Sequence, residues 1–244
     1  MSASISQSDP PLFPAITFCD QEGALSFSVP ASASSLDGFR QWALSDDFPE
    51  RGKITFVAGG LIIDMSPESL EEHSDIKSEI CRVLLNLVRQ QKLGRLHIDG
   101  VLVSNEAARV SNEPDILYLS KASLTSGRAK LTPAIGRPQS SKEIVGSVDW
   151  VLEIVSPTSM RKDKVLLREA YYQAGIDEYW IIDGLGQKIE FQLLTRGEKE
   201  FVAVERQDDW LQSPTFDRQF RLEREKEDDG SWRHTLHIQA SAIR

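Results

Sequence analysis

From residue 149 to 155 the chain reads DWVLEIV, a nearly unbroken apolar run in which Trp150, Leu152 and Ile154 alternate with Val151, Glu153 and Val155. A run of this length, closed by Ser156-Pro157, predicts a strand covered on both faces, and it draws one carboxylate into the covered region. Upstream, ITFVAGGLIIDM (54–65) reads as two short strands turning about Gly59-Gly60. Ser66-Pro67-Glu68 has the makings of a helix start: a capping hydroxyl, a proline in the first turn and an acid beside the positive end of the dipole. Leu70, Ile76, Ile80, Val83, Leu84, Leu87 and Val88 then recur at helical spacing as far as Gly94, which predicts one long amphipathic helix. LHIDGVLVS and PDILYLS read as strands, and 121–147, carrying Gly, Pro, Ser and Lys, as a loop or insertion. A second helix is predicted from Met160 to Ala174 with Gly175 at its C-terminal cap. EYWIID follows as a strand, with further strands within 188–204 and 216–240 and QDDWLQSP as a turn-rich connection. The order helix, strands, helix, strand predicts an α/β domain with a mixed sheet over residues 36–244. Residues 1–35, rich in Ser, Pro and Ala without helical period, are expected to form a flexible or loosely docked arm.

Composition narrows the function. With 244 residues, 40% of them hydrophobic, the chain can bury a full core. No apolar stretch approaches the ~20 residues of a membrane span, and the N-terminus lacks a signal-peptide layout, so no membrane partner and a cytoplasmic location are expected. Cys19 and Cys81 are too few for a disulfide framework or a zinc site, and with four histidines any metal is expected to sit mainly on oxygen. The formal net charge of -9 argues against broad non-specific nucleic-acid binding, which rests on phosphate neutralisation by Lys and Arg, but is compatible with a local basic groove.

Two acids fall on neighbouring predicted strands: Asp115, after Glu113-Pro114 at the start of DILYL, and Glu153. If those strands pair, the carboxylates converge at one end of the sheet and make a site for Mg²⁺ or Mn²⁺, which accounts for a glutamate inside an apolar run. The combination of EPDI, DWVLEIVSPTS and KDKVLLREAYYQAGIDEYWIID, with GGLIIDMSPESLEEHS before the first helix, resembles the bacterial Uma-two family of the PD-(D/E)XK restriction-endonuclease-like superfamily, over roughly residues 50–225. The resemblance implies a mixed sheet flanked by helices, DNA as substrate, and metal-binding acids at Asp115 and Glu153. Where the superfamily motif expects a lysine, two residues after Glu153, this chain has Val155; where many relatives carry a helical lysine, four residues after the position of Asp163, it has Leu167. Lys162, Lys164 and Arg168 remain as replacements. Lys162 is chosen as the catalytic cation because it lies nearest the end of the Glu153 strand, with Arg168 as a phosphate contact.

Each residue also has a plainer reading. Asp115 could be a turn residue at a strand end, and Glu153 half of a structural ion pair with an arginine. Ser156 and Thr158 suit helix capping, and His73 suits either phosphate contact or the edge of the core; Glu72 could add an outer oxygen. Three functions fit: a Mg²⁺- or Mn²⁺-dependent DNA endonuclease, a nuclease-fold binding or assembly module that has lost catalysis, and a metal-dependent hydrolase of a small phosphoester. A homodimer is expected on the grounds that enzymes cutting both strands work as paired sites and that Tyr171, Tyr172, Tyr179 and Trp180 could supply an apolar contact.

Overall fold

The computed structural model describes residues 15–19, 26–134 and 137–241. A hairpin of β1 (Ile16–Cys19) and β2 (Ser26–Val29) leads to α1 (Leu36–Ala43), where the Ser35 side chain accepts a capping hydrogen bond from Gly38 N. β3 (Lys53–Val57) and β4 (Gly60–Asp64) form the predicted hairpin. Its turn is Ala58-Gly59, one residue earlier than expected, and both turn residues have positive φ (52° and 77°), as a tight turn between right-twisted strands demands. The long helix α2 (Asp75–Gln91) follows, then β5 (Gly94–Ile98), β6 (Leu102–Asn105), β7 (Val110–Asn112) and β8 (Ile116–Ser120). After α3 (Lys121–Ser126), β9 (Ala129–Ala134) and β10 (Arg137–Gly146) comes β11 (Trp150–Ile154), the strand of the DWVLEIV run. α4 (Arg168–Gln173) ends with Gly175 at φ 82°; Gly175 N bonds Tyr172 O and Ile176 N bonds Tyr171 O, the paired closure that a left-handed glycine permits. The chain finishes with β12 (Glu178–Asp183), β13 (Glu190–Arg196), β14 (Phe201–Ala203), β15 (Leu211–Ser213), β16 (Arg218–Lys226) and β17 (Trp232–Ala240).

The central sheet has the order β14-β13-β12-β11-β8-β5 and is mixed, with β11 parallel to β12 and antiparallel to β8. Its middle strands β8, β11 and β12 are covered on both faces. Trp150, Leu152, Ile154, Trp180 and Ile182 pack with α2 and with Phe216, Phe220 and Leu236 of the small β15-β16-β17 sheet. On the opposite face, Val151, Val155, Tyr179 and Ile181 pack with Leu167, Ala170 and Tyr171 and with Val57, Val103 and Val110 from a second sheet of order β4-β3-β7-β6-β10-β9. The far side of that second sheet buries Ile54, Phe56 and Leu102 beneath Phe39 and Trp42 of α1. Of the arm expected over 1–35, residues 1–14 and 20–25 lie outside the described residues, while Val29 and Ala33 are buried in this α1 cluster.

Three sequence expectations change. Residues 121–147 are not a loop: β9 and β10 pair antiparallel and β10 joins β6 in parallel, Glu143 opposite Leu102. Among the described residues there, Ile144 is the only large apolar side chain that is fully buried, so the pairing partner rather than local pattern made this a strand. Ser66 to Ser69 do not begin a helix. The segment is extended, and helical turns start at Leu70, because Asp64 accepts hydrogen bonds from both Ser66 N and Ser66 Oγ and holds the chain in a turn instead. Of the four aromatics expected to supply a homodimer contact, Tyr171, Tyr179 and Trp180 are at most 1% exposed within the chain's own core, and Tyr172 alone of the four is partly exposed.

Candidate active site

β8 and β11 run side by side with Ile116 opposite Leu152, which sets Asp115 and Glu153 at the same end of the central sheet. Asp115 ties that end together: its Oδ2 accepts a 2.7 Å hydrogen bond from Ile154 N. Both acids, each 1% exposed, line one small cavity of ≈ 40 Å³ together with Glu68, His73, Lys162 and Asp163, room for about one water or ion. Asp64, at the end of β4, forms part of the same wall.

The two carboxylates are treated differently. Glu153 Oε1 accepts from Asn112 Nδ2 at 2.9 Å and from the Tyr171 hydroxyl at 2.6 Å, while Oε2 lies 3.9 Å from Lys162 Nζ. Burial nonetheless pushes the Glu153 carboxyl up to about 8; Lys162 opposes the rise and the neighbouring Asp163 and Asp115 add to it. Asp115 is held well below the usual carboxylate range, because the penalty of burial is outweighed by His73, Lys53 and Lys77. Lys53 Nζ donates to Asp115 Oδ1 and Lys77 Nζ lies 3.4 Å from it, while His73 Nε2 is 3.3 Å from Oδ2. Lys77 also bonds both Glu68 oxygens (2.7 and 3.0 Å) and both Asp99 oxygens (3.1 and 3.0 Å). Around the cavity and its rim, six carboxylates (Asp64, Glu68, Asp99, Asp115, Glu153, Asp163) face three ammonium groups (Lys53, Lys77, Lys162), an excess of negative charge that suits a bound cation.

Two departures from regular helix lie at the cavity. Leu70–Ser74, ahead of α2, and Lys162–Leu167, ahead of α4, are π-helical, and the first is closed by a hydrogen bond from Ser74 N to Ser69 O. Such widened turns recur at functional sites; here they carry His73, Lys162 and Asp163. Ahead of the second, Ser156 and Ser159 bond reciprocally, Ser156 N to Ser159 Oγ at 2.8 Å and Ser159 N to Ser156 Oγ at 3.1 Å, closing the turn that leads into the helix. Thr158 instead reaches across to Asp64 Oδ2 at 2.6 Å.

With this geometry in hand, a family model described as "Uma2: Putative restriction endonuclease" matches residues 36–225. The chain belongs to the Uma2 family. A solved structure of a nuclease of the DUF820 group from Anabaena variabilis ATCC 29413, described there as putative, is 21% identical, with a TM-score of 0.53 over 75% of this chain and 90% of that one. That likeness shows a nuclease-like mixed α/β fold. No curated protein matches the chain.

In this Uma2 protein, Asp115, Glu153, Lys162 and His73 meet at the cavity as the sequence suggested, but Arg168 does not. Its guanidinium donates to Phe201 O at 2.7 Å, bracing α4 against β14, and it is not among the cavity-lining residues. Lys164 points away from Lys162 and pairs with Asp183 at 2.5 Å and Glu190 at 3.6 Å. The additional acid at the cavity is Glu68, not Glu72, because the extended 66–69 segment runs along the cavity instead of entering a helix. Sequence reasoning also missed Lys53, Lys77, Asp64 and Asp163. Lys77 had a usable signal: it shares the buried stripe of α2 with Cys81, Leu84 and Val88, where a lysine at 7% exposure requires partners.

Among the described residues, no helix is long and apolar enough to cross a membrane.

Proposed function

We infer that this protein is a divalent-metal-dependent endonuclease hydrolysing DNA phosphodiester bonds at the Asp115–Glu153 cavity. The observation that carries this reading is the convergence of two fully buried acids from adjacent antiparallel strands on a cavity that also holds a buried lysine, Lys162. The residues present fit a metal. One ligand atom each from Glu68, His73 and Asp115 lie within 4.8 Å of one another, and the buried His73 Nδ1 of the wall, although 3.1 Å from Glu68 Oε2, makes no aligned hydrogen bond. Asp115 and Glu153, with Glu68 in support, would hold Mg²⁺ or Mn²⁺; when bound, such an ion neutralises phosphate charge and makes a bound water more acidic. Lys162 contributes the remaining cation. Its ammonium group, at 8% exposure and 3.1 Å from Asp163 Oδ1, stays charged because Glu153, Asp163 and Asp115 together outweigh the penalty of burial, and it stands where charge develops on a phosphoryl oxygen. Asn112 and Tyr171 fix the Glu153 carboxylate so that Oε2 is the oxygen turned to Lys162.

The test is metal-dependent nicking of plasmid DNA by the full chain. Asp115→Asn and Glu153→Gln are expected to abolish it together with the metal-induced stabilisation, about 1.4 kcal/mol for a native-state ligand at ten times Kd, which is read as a rise in melting temperature. Lys162→Ala is expected to abolish cleavage with metal binding intact, and Lys164→Ala to leave it largely unchanged. Full cleavage by Lys162→Ala would overturn the assignment of the cation. The ion pairs already closed on Asp115 by Lys53 and Lys77 favour a second reading, a nuclease-fold binding module without catalysis. A wild-type protein that shows neither a metal-induced melting shift nor cleavage would establish it over the first.

A further inference from the structure

We propose, resting on the metal-dependent reading above, that His73 is a direct metal ligand and that it makes the site select Mn²⁺ over Mg²⁺. His73 is 5% exposed in the widened turn before α2, and it lines the cavity; none of the other three histidines does. Its two nitrogens meet two acids: Nε2 is 3.3 Å from Asp115 Oδ2 and Nδ1 is 3.1 Å from Glu68 Oε2. Nδ1 makes no hydrogen bond despite that proximity. A ligand atom of the imidazole lies within 4.8 Å of one each from Glu68 and Asp115, so a cation held by the two acids also meets the ring, whose Nδ1 has no aligned hydrogen bond to give up.

Several carboxylate oxygens around the cavity are already engaged, which leaves the imidazole among the donors an ion can use. Lys77 engages both oxygens of Glu68, Lys53 engages Oδ1 of Asp115, and Asn112 with Tyr171 engages Oε1 of Glu153. One nitrogen among several carboxylate oxygens is a poor shell for Mg²⁺, which prefers oxygen and keeps its waters, and an acceptable one for Mn²⁺.

The test uses Mn²⁺ and Mg²⁺ alone with the full-length protein and no DNA. Titration calorimetry is expected to show Mn²⁺ bound about tenfold or more tightly than Mg²⁺, and His73→Ala to weaken Mn²⁺ by about tenfold while changing Mg²⁺ less. Pulsed electron paramagnetic resonance of the bound Mn²⁺ is expected to show nitrogen hyperfine coupling in the wild type and none in His73→Ala. Because the wild-type spectrum alone decides ligation, a variant that fails to fold leaves the proposal testable. Bound Mn²⁺ without nitrogen coupling overturns the proposal, as does equal affinity for the two metals. If Asp115→Asn still abolishes binding in either case, the carboxylate site survives and only the role of His73 falls. Nitrogen coupling without DNA cleavage would instead uphold His73 as a ligand and overturn the nuclease reading.

Discussion

At the scale of single residues, Glu153 carries the chemistry that its sequence position announced. An acid in a doubly covered strand must be paired, protonated or bound to a cation, and here it has an amide, a phenol and an ammonium group around it yet still titrates near 8. Its folded-state pKa lies above the ordinary 4.5, so without metal the folded protein keeps a proton that the unfolded chain releases. The stability from this group is therefore complete below about pH 4.5 and is lost as pH rises towards 8, with a slope of at most about 1.4 kcal/mol per pH unit for one proton. Urea melts in chelator at pH 5, 6, 7 and 8 should show the decline, and Glu153→Gln should flatten it. Metal affinity should run the other way, rising over the same window as the ion displaces the proton. A pH-independent affinity between 5 and 8 would place the metal away from Glu153.

At the scale of elements, the site is held by short irregular pieces attached to regular ones. Asp64 is the staple among them: one oxygen takes Ser66 N and Oγ, and the other takes Thr158 Oγ1 from the loop after β11. These bonds hold the 66–69 segment extended, and that in turn brings Glu68 to the cavity. Asp64→Ala is expected to cost about 1 kcal/mol in denaturant unfolding, the usual worth of such bonds when partly exposed. It should also weaken metal binding by more than that loss of stability implies, since Glu68 loses its placement. Unchanged metal affinity in Asp64→Ala would show that Glu68 is held by its contacts with Lys77, Lys53 and His73 and not by the Asp64 staple.

At the scale of the whole molecule, the central sheet is buried between two different layers. The small β15-β16-β17 sheet supplies one of them, although β17 lies beyond the residues matched by the family model. Leu236 is 3% exposed in the α2 cluster and its backbone N donates to Glu79 Oε1 at 2.9 Å, so this C-terminal strand closes the helix face that leads to His73 and Lys77. Phe216 is the anchor of that layer, with ring centroids 5.2 Å from Tyr118, 5.5 Å from Trp150 and 6.1 Å from Trp180. Phe216→Ala is expected to destabilise the protein by about 3–5 kcal/mol, the range for emptying an aromatic site in a core. Metal affinity measured well below the melting temperature should be nearly unchanged, because the cavity lies at the strand end and not under Phe216.

The sequence by itself determined strands β8, β11 and β12, the β3-β4 hairpin, both principal helices and Asp115 and Glu153 as the two acids to watch, since each rests on local periodicity, a turn residue or an acid in an apolar run; that LHIDGVLVS divides into β5 and β6 in different sheets, and that β8 and β11 pair, only the fold decided. It also singled out Lys162, whose distance along the chain from Glu153 is short enough for reach to decide. Tertiary structure alone decided the rest. β9 and β10 are strands because β6 offers them a partner, and Arg168 is spent on a backbone carbonyl that only the packing of α4 against β14 brings near. Lys53 and Lys77 come from β3 and α2, 62 and 38 residues before Asp115, and nothing in their local pattern names the acid they meet. Short-range periodicity encodes which face of an element is buried, whereas the partner waiting on that face is set by chain topology, and the charges of this site come from five separate segments of the chain.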